Sequence, residues 1–280
     1  MENKYQKEQF YLPFSITPRF SRRLGRAAET MSFADAVTET LADSGIKVEV
    51  EGDLPLDSGG LLIAGDHSQR IEPLLAQSLV GAVGRESTHV IARPDSAAGR
   101  LIQSSGSTGQ ELIIPVLQAN NSNQYRPSPL SEPRAFYRKH HFPNAFNQPV
   151  EILHQLNNDA LDTAAQKVAS GEAVTIFPSG GPGTAEWRGG FGQIASRLSP
   201  EARAATEVSL FRPAPFSVKR VAGALALREL GIRPRTQTLV LQNANIGKVA
   251  DILEDTDPDT YARDFTRLVR ELYLKQYGSQ

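Results

Sequence analysis

The chain has 280 residues, no cysteine, and 30 basic against 31 acidic side chains, which gives a formal net charge of −1. The absence of cysteine excludes a disulfide-stabilised scaffold, a cysteine-ligated metal site and a thiol nucleophile. The balanced charge and the absence of a long apolar run predict no nucleic-acid partner and no membrane span, which would require ~18 apolar residues. The first residues lack the apolar core of a signal peptide, so a cytoplasmic location is expected, with peripheral membrane contact left open.

Short apolar runs alternate with amphipathic stretches along the chain, which predicts an α/β fold. Residues 1–45 are predicted to form an N-terminal arm and a helix, residues 46–250 the α/β domain, and residues 251–280 a C-terminal helix packed on it. The predicted strands lie at residues 60–65, 88–92, 111–117, 173–177, 207–211 and 236–242. Several of these runs are continuously apolar, so a single mixed, largely parallel sheet flanked by helices is expected.

Helices are predicted between the strands, over residues 33–41, 74–80, 150–168 and 218–230. Each has apolar residues at helical spacing and a start or stop signal; Ser32 and Asp35, for example, make a capping-box-like start. The last helix is predicted to begin at residues 257–258 and to turn its apolar side chains inward, namely Tyr261, Phe265, Leu268 and Leu272.

Two segments break this alternation. Residues 1–30 mix aromatic with basic side chains, which is typical either of an arm packed on the domain or of a segment that contacts a membrane surface. Residues 118–149 are polar and are predicted to form an insertion loop, and loops of this length in a compact domain are commonly functional or disordered. Among the histidines outside these segments, His89 is expected to be structural and His154 to be packed or solvated.

The first candidate site lies at residues 65–73, where a predicted buried strand ends at Gly65. His67 follows, and Glu72 comes five positions later, just before Pro73 opens a helix. On one helix this spacing would put the two side chains about 140° apart, so they can meet only across a strand–turn–helix connection. A carboxylate on one imidazole nitrogen stabilises the imidazolium that forms when the other nitrogen takes a proton. The segment therefore predicts either a general base, His67, oriented by Glu72, or an unrelated loop histidine and helix-entry glutamate.

The second candidate site is the glycine- and proline-rich loop at residues 177–184, directly after a predicted strand. Its backbone N–H groups can approach an anion closely. It matches neither a GxxxxGK loop nor a complete GxGxxG motif, and Ser179 lacks the GxSxG context of a nucleophile. The loop is therefore either a simple turn or a binding loop in which Ser179, Gly180 and Gly181 contact substrate.

Together, the two segments resemble the glycerol-3-phosphate and lysophosphatidate acyltransferase superfamily. In that family a strand is followed by an Asn-His-x4-Asp motif and a helix, and later in the chain another strand is followed by a Phe-Pro-Glu-Gly-Thr loop. The counterparts here are residues 66–72 and residues 177–181. The resemblance covers residues 46–250 and includes a lead-in, a helix and a closing turn, at residues 48–55, 187–198 and 244–247.

Several positions depart from the family pattern. Glu72 stands for the family aspartate and keeps its charge on a longer side chain. Ser179 stands for the loop glutamate, as in the Pro-Ser-Gly-Gly loop of the soluble plastid-type glycerol-3-phosphate acyltransferases. That branch continues with two arginines that hold the acceptor phosphate, whereas Pro182 and Thr184 stand there in this chain. The acceptor therefore stays open.

The resemblance implies a glycerolipid acyltransferase-like fold and an O-acyltransferase of phospholipid biosynthesis. The donor would be acyl-CoA or acyl-carrier protein, and the acceptor a hydroxyl of glycerol-3-phosphate, a lysophospholipid or a related molecule. It implies His67 as general base, Glu72 as its orienting carboxylate, the loop at residues 179–181 against substrate, and Lys139 with His140 as the acceptor-site Lys-His pair. No metal and no cofactor beyond the donor is expected, and a membrane surface is an open partner. Two alternatives stay open: a non-catalytic lipid-binding or membrane-docking protein on the same fold, and an acyl ester or thioester hydrolase.

Overall fold

The computed structural model of the protein describes residues 17–55, 59–65, 71–92, 102, 105–116, 150–179, 187–254 and 260–278. The strands in these ranges are β1 (Ile46–Gly52), β2 (Leu61–Gly65), β3 (Thr88–Ala92), β4 (Ile113–Pro115), β5 (Ala173–Ile176), β6 (Glu207–Pro213) and β7 (Gln237–Lys248). The helices in the same ranges are α1 (Thr17–Ala27), α2 (Phe33–Asp43), α3 (Glu72–Ala82), α4 (Ser107–Glu111), α5 (Val150–Ala169), α6 (Gly190–Arg197), α7 (Pro200–Ala205), α8 (Val218–Glu229), α9 (Val249–Ile252) and α10 (Tyr261–Tyr277).

The seven strands of the described ranges form one sheet in the order β1-β7-β6-β2-β5-β3-β4. The strands from β6 to β4 run parallel to one another, β7 runs antiparallel to β6, and β1 runs parallel to β7. This arrangement confirms the predicted α/β fold with a single mixed, largely parallel sheet.

Alternate residues of the central strands point into two separate cores, one on each face of the sheet. On β2, Leu61 and Ile63 belong to the core that α1, α2, α3 and α8 cover, whereas Leu62 and Ala64 belong to the core that α5, α6 and α10 cover. Both β2 and β5 are buried along their whole length. Strands covered on both faces must be apolar at nearly every position, which is why these strands could be predicted as continuous apolar runs.

Strand β4 covers only Ile113–Pro115 of the predicted residues 111–117, since Glu111 ends α4, and β6 runs two residues past its predicted end at 211. The larger differences concern β1 and β7. Strand β1 was not expected, because it alternates charged and apolar residues; it lies at the edge of the sheet and most of it is partly or fully exposed. Strand β7 extends to Lys248, whereas the prediction ended it at residue 242 and placed a turn at residues 244–247. The expected turn is wrong, because Ala244 and Asn245 continue the pairing with β6.

The helical predictions are largely confirmed. The Ser32 hydroxyl accepts the N–H of Asp35 at 3.1 Å and caps α2, as the capping-box pattern predicted. On α10, however, the buried stripe includes Val269 and Tyr273, while Leu268 and Leu272 are only partly buried. Residues 257–258, the predicted start of that helix, lie outside the described residues.

The N-terminal segment contributes a packed helix to the core. Phe20 and Leu24 of α1 are fully buried against the α2 and α3 side of the sheet. The part of the predicted arm that precedes α1, residues 1–16, lies outside the described residues.

Candidate functional site

The two sequence motifs begin at the ends of two neighbouring strands. Ala64 of β2 pairs with Ile176 of β5 in parallel register, so the two strands end side by side. From β2 the chain passes to β3, towards one edge of the sheet, and from β5 it passes to β6, towards the other. Ligands of open α/β sheets bind at the carboxyl ends of the strands where such connections diverge. The topology therefore brings Gly65, at the end of β2, and residues 177–179, after β5, to the position where a ligand site is expected.

The end of β2 packs closely against an aromatic ring of β6, and this contact is called the floor of the candidate site. Gly65 pairs with Phe211 of β6, and a Cβ atom added at Gly65 would lie 2.5 Å from Cε1 of the Phe211 ring. The Phe211 ring also meets the Phe177 ring edge-on, with centroids 6.0 Å apart. Phe177 and Phe211 both lie in the core on the α3 side. Glycine at position 65 is thus required by packing against Phe211.

Glu72 is the first residue of α3, one position earlier than the helix start predicted at Pro73. Its side chain is fully buried, at 0% exposure, between the core residues Ile71 and Leu74. A buried glutamate is rare in proteins because a carboxylate removed from water needs a polar or cationic partner. The positive end of the helix dipole favours a negative charge at this first turn. Glu72 is therefore a buried acidic side chain at the start of α3, and its role toward His67, which lies outside the described residues, stays a prediction.

Ser179 is the last described residue of the second motif and is also buried, at 1% exposure. Directly after Ser179 the chain leaves the described part, and it returns at Trp187. The N–H of Arg188 donates to the carbonyl of Pro178 at 2.9 Å, so the two ends of the loop are tied together. The ring of Trp187 packs against that of Tyr273, with centroids 5.3 Å apart. The loop thus begins and ends at fixed points beside the carboxyl end of β5.

Five of the predicted site residues lie outside the described residues: His67, Lys139, His140, Gly180 and Gly181. Their predicted roles stay predictions. Among the predicted site residues that the structure describes, Glu72 and Ser179 are both buried and follow strands that are direct neighbours in the sheet. Sequence analysis did not single out Phe211, because its contact with Gly65 depends on the pairing of β2 with β6, which no local pattern reveals.

His89 lies near the amino end of β3, whereas this site lies at the carboxyl ends of the strands. Its Nε2 atom is 2.7 Å from Oε2 of Glu172, and the ammonium of Lys167 donates to the same carboxylate at 3.1 Å. Burial raises the pKa of Glu172, but hydrogen bonds from His89, Lys167 and Ser170 outweigh it and bring the pKa below its usual 4.5. His89 is therefore part of a structural ion-pair network, as predicted, and His154 is exposed on α5.

No cluster of three or more histidine, aspartate and glutamate side chains with the geometry of a metal site occurs within the described ranges. In the same part of the chain, none of the helices has the length and apolar character that crossing a membrane would take.

Comparison with known proteins adds no assignment. The sequence matches no protein-family model, and no curated protein is significantly similar to it.

Proposed function

We propose that this chain is an O-acyltransferase that moves a fatty acyl group from acyl-CoA or acyl-carrier protein to an acceptor hydroxyl. The acceptor is glycerol-3-phosphate, a lysophospholipid or a related molecule. His67 acts as general base and Glu72 as the carboxylate that orients it. The observation that carries the proposal is the position of Glu72: a fully buried carboxylate at the entry of α3, following the strand that pairs directly with the strand of the Ser179 loop.

Burial gives Glu72 the properties that an orienting carboxylate needs. In a water-poor environment, its interaction with a neighbouring imidazolium is weakly screened. The segment between Gly65 and Glu72 is short and contains His67, so this histidine lies close in sequence to both the strand end and the buried carboxylate. The resemblance to the Asn-His-x4-Asp motif supports the same pairing.

The reaction requires no covalent enzyme intermediate. His67 takes the proton of the acceptor hydroxyl while the hydroxyl oxygen attacks the thioester carbonyl carbon. The carbon–sulfur bond then breaks, the acyl group remains on the acceptor as an ester, and the proton on His67 passes to the departing thiolate. Glu72 offsets the transient positive charge on the imidazole. Backbone N–H groups of the loop after β5 can stabilise the developing oxyanion, and such donors are each worth about 3–4 kcal/mol.

The products of one incubation test this proposal. The protein is mixed with acyl-CoA carrying a labelled acyl chain and, in separate reactions, with glycerol-3-phosphate or a panel of lysophospholipids. The proposal predicts labelled ester on one of the acceptors. Free labelled fatty acid alone would indicate a hydrolase, and retention of unreacted acyl-CoA would indicate a binding protein; either result contradicts the proposal.

Variants of Glu72 then test its role. Glu72→Gln keeps the shape and removes the charge, so turnover should fall while the protein stays folded. Glu72→Asp keeps the charge on a side chain one methylene shorter, and it should retain more activity than Glu72→Gln. Equal activity of both variants and the unchanged protein would show that this carboxylate does not serve the reaction.

A further inference from the structure

The carboxyl end of α8 carries an exposed apolar tip. Leu230 is 74% exposed, Ile232 is 51% exposed and Leu227 is 39% exposed, and these are the highest values among the large apolar residues on this side of the sheet that the structure describes. The backbone that holds them is fixed. Gly231 has a φ of +78°, the N–H of Ile232 donates to the carbonyl of Leu227 at 2.9 Å, and the N–H of Gly231 donates to the carbonyl of Arg228 at 3.0 Å.

These bonds form a Schellman motif, which often brings together the two apolar residues that flank the glycine turn. Leu227 and Ile232 occupy the two positions that such a contact joins. The contact does not account for Leu230, whose side chain is the most exposed of the three. The motif therefore presents an apolar side chain to solvent on a well-ordered support.

Cationic side chains surround this tip. Arg233 and Arg235 follow it directly and are exposed, and neither forms an ion pair with a carboxylate in the part of the chain that the structure describes. Arg19 of α1 reaches the same point, because its guanidinium donates to the carbonyl of Glu229 at 2.8 Å. By contrast, Arg228 is neutralised by Asp43 at 2.8 Å. The tip therefore combines exposed apolar side chains with three cations for which the described part of the chain provides no carboxylate partner.

The tip and the candidate site both lie on the side of the sheet where the parallel strands have their carboxyl ends. Strand β7 starts at Gln237, ahead of Leu241, which pairs with Pro213 at the end of β6. The segment that carries the tip thus enters the sheet beside the carboxyl ends of the parallel strands β6, β2 and β5. The ion pair of Arg228 with Asp43 holds the end of α8 beside the end of α2, on the same side of the sheet.

We propose that this tip, formed by Leu227, Leu230, Ile232, Arg19, Arg233 and Arg235, binds the surface of a bilayer that contains anionic lipids. The apolar side chains enter the boundary between headgroups and acyl chains, and the arginines bind the anionic headgroups, which is how interfacial segments combine burial with charge. A nucleic acid would use the arginines but would leave Leu230 and Ile232 in water. This inference goes beyond the proposed acyl transfer and does not depend on it, because vesicle binding is measured without substrate.

Binding to vesicles made of equal parts phosphatidylcholine and phosphatidylglycerol tests the proposal, with phosphatidylcholine vesicles as the neutral comparison. The full chain is floated with each vesicle, and the partition constant is measured for the unchanged protein and for two variants of the tip. Leu230→Ser/Ile232→Ser removes the apolar contact, and Arg233→Gln/Arg235→Gln removes two charges. Each cation near an anionic surface contributes about fivefold, so the arginine variant, which lacks two cations, should partition roughly 25-fold more weakly. The leucine–isoleucine variant should lose at least about tenfold on both the mixed and the neutral vesicles.

Arg263→Gln/Arg267→Gln is the matched control. It removes two positive charges from exposed arginines of α10, on the opposite face of the sheet, where Arg263 lies 3.8 Å from Asp264 and Arg267 lies 3.0 Å from Glu271. Partition within about twofold of the unchanged protein is expected for this control, because the two arginines lie on a helix that packs on the opposite face of the sheet from the tip. Each variant is first shown to be folded by circular dichroism.

Three results would overturn the proposal: no vesicle binding by the unchanged protein, full binding by both tip variants, or an equal loss in the α10 control. Failure of the proposed acyl transfer leaves these results unaffected, since the variants lie outside the candidate site.

Discussion

Replacement of Gly65 by alanine tests the packing that sets the floor of the candidate site. A Cβ atom at this position would lie 2.5 Å from Cε1 of Phe211 and 3.0 Å from its Cδ1 and Cζ atoms. Carbon atoms in contact normally lie about 3.5–4.0 Å apart, so the ring must move by about 1 Å. Phe211 is fully buried and its ring packs edge-on against Phe177, which leaves it no free space.

Overpacking of this kind typically costs about 1–3 kcal/mol, while the loss of glycine's backbone freedom stabilises a strand by about 0.5–1 kcal/mol. Gly65→Ala should therefore lower the free energy of unfolding by roughly 1–2 kcal/mol. Urea unfolding followed by circular dichroism measures this change. Gly223→Ala is the matched control, because its Cβ atom would meet nothing within 4 Å on α8, and it should leave stability unchanged or raise it by up to about 1 kcal/mol.

A double-mutant cycle decides whether the ring is the cause. Phe211→Leu removes the ring atoms that clash, so Gly65→Ala should cost at least about 1 kcal/mol less in that background than in the unchanged protein. Additive effects within about 0.5 kcal/mol, or a neutral Gly65→Ala, would refute the argument.

Two further predictions concern the support of the fold. A Cβ atom at Gly192 would fall within bonding distance of the carbonyl oxygen of Ala262, so Gly192→Ala should separate α6 from α10 and destabilise the protein by more than Gly65→Ala in the same urea assay. The pKa of Glu172 is lowered in the folded state, so its ion pairs contribute stability above pH 4.5 that is lost as the pH falls through the folded-state pKa. Since this carboxylate is 42% exposed, the effect of Glu172→Gln should stay below about 1 kcal/mol near neutral pH and vanish in acid, whereas a loss that did not vary with pH would contradict the assigned ion pairs.

The buried strands could be predicted because they are covered on both faces. Strand β3 has the predicted bounds, Thr88–Ala92, and β2 and β5 differ from their predicted bounds by one residue. The edge strand β1 escaped prediction for the opposite reason: its exposed face carries charged residues, and only its pairing with β7 makes it a strand. Long-range pairing with β6 is also the reason that residues 244–247 continue β7 and do not form the expected turn.

In the candidate site, too, local features could be predicted from the sequence, whereas features that depend on long-range pairing could not. A histidine and a glutamate on either side of a strand–turn–helix connection can be recognised from spacing, and so can a glycine-rich loop after a strand. That the two strands are neighbours, and that Glu72 is fully buried, depends on the order of strands in the sheet and on the packing of α3. Phe211 belongs to the site's floor through the pairing of β6 with β2, which lies beyond any local pattern.

The most direct test of the central claim is the rate of acyl transfer by His67→Ala. General-base removal of a proton typically contributes about 10²–10⁴-fold, so this variant should lose at least that factor in turnover while its unfolding curve matches that of the unchanged protein. His154→Ala, which removes an exposed histidine from α5, is the matched control and should keep full activity. Transfer at an unchanged rate by folded His67→Ala would contradict the assignment of His67 as the base and, with it, the proposed function of the site.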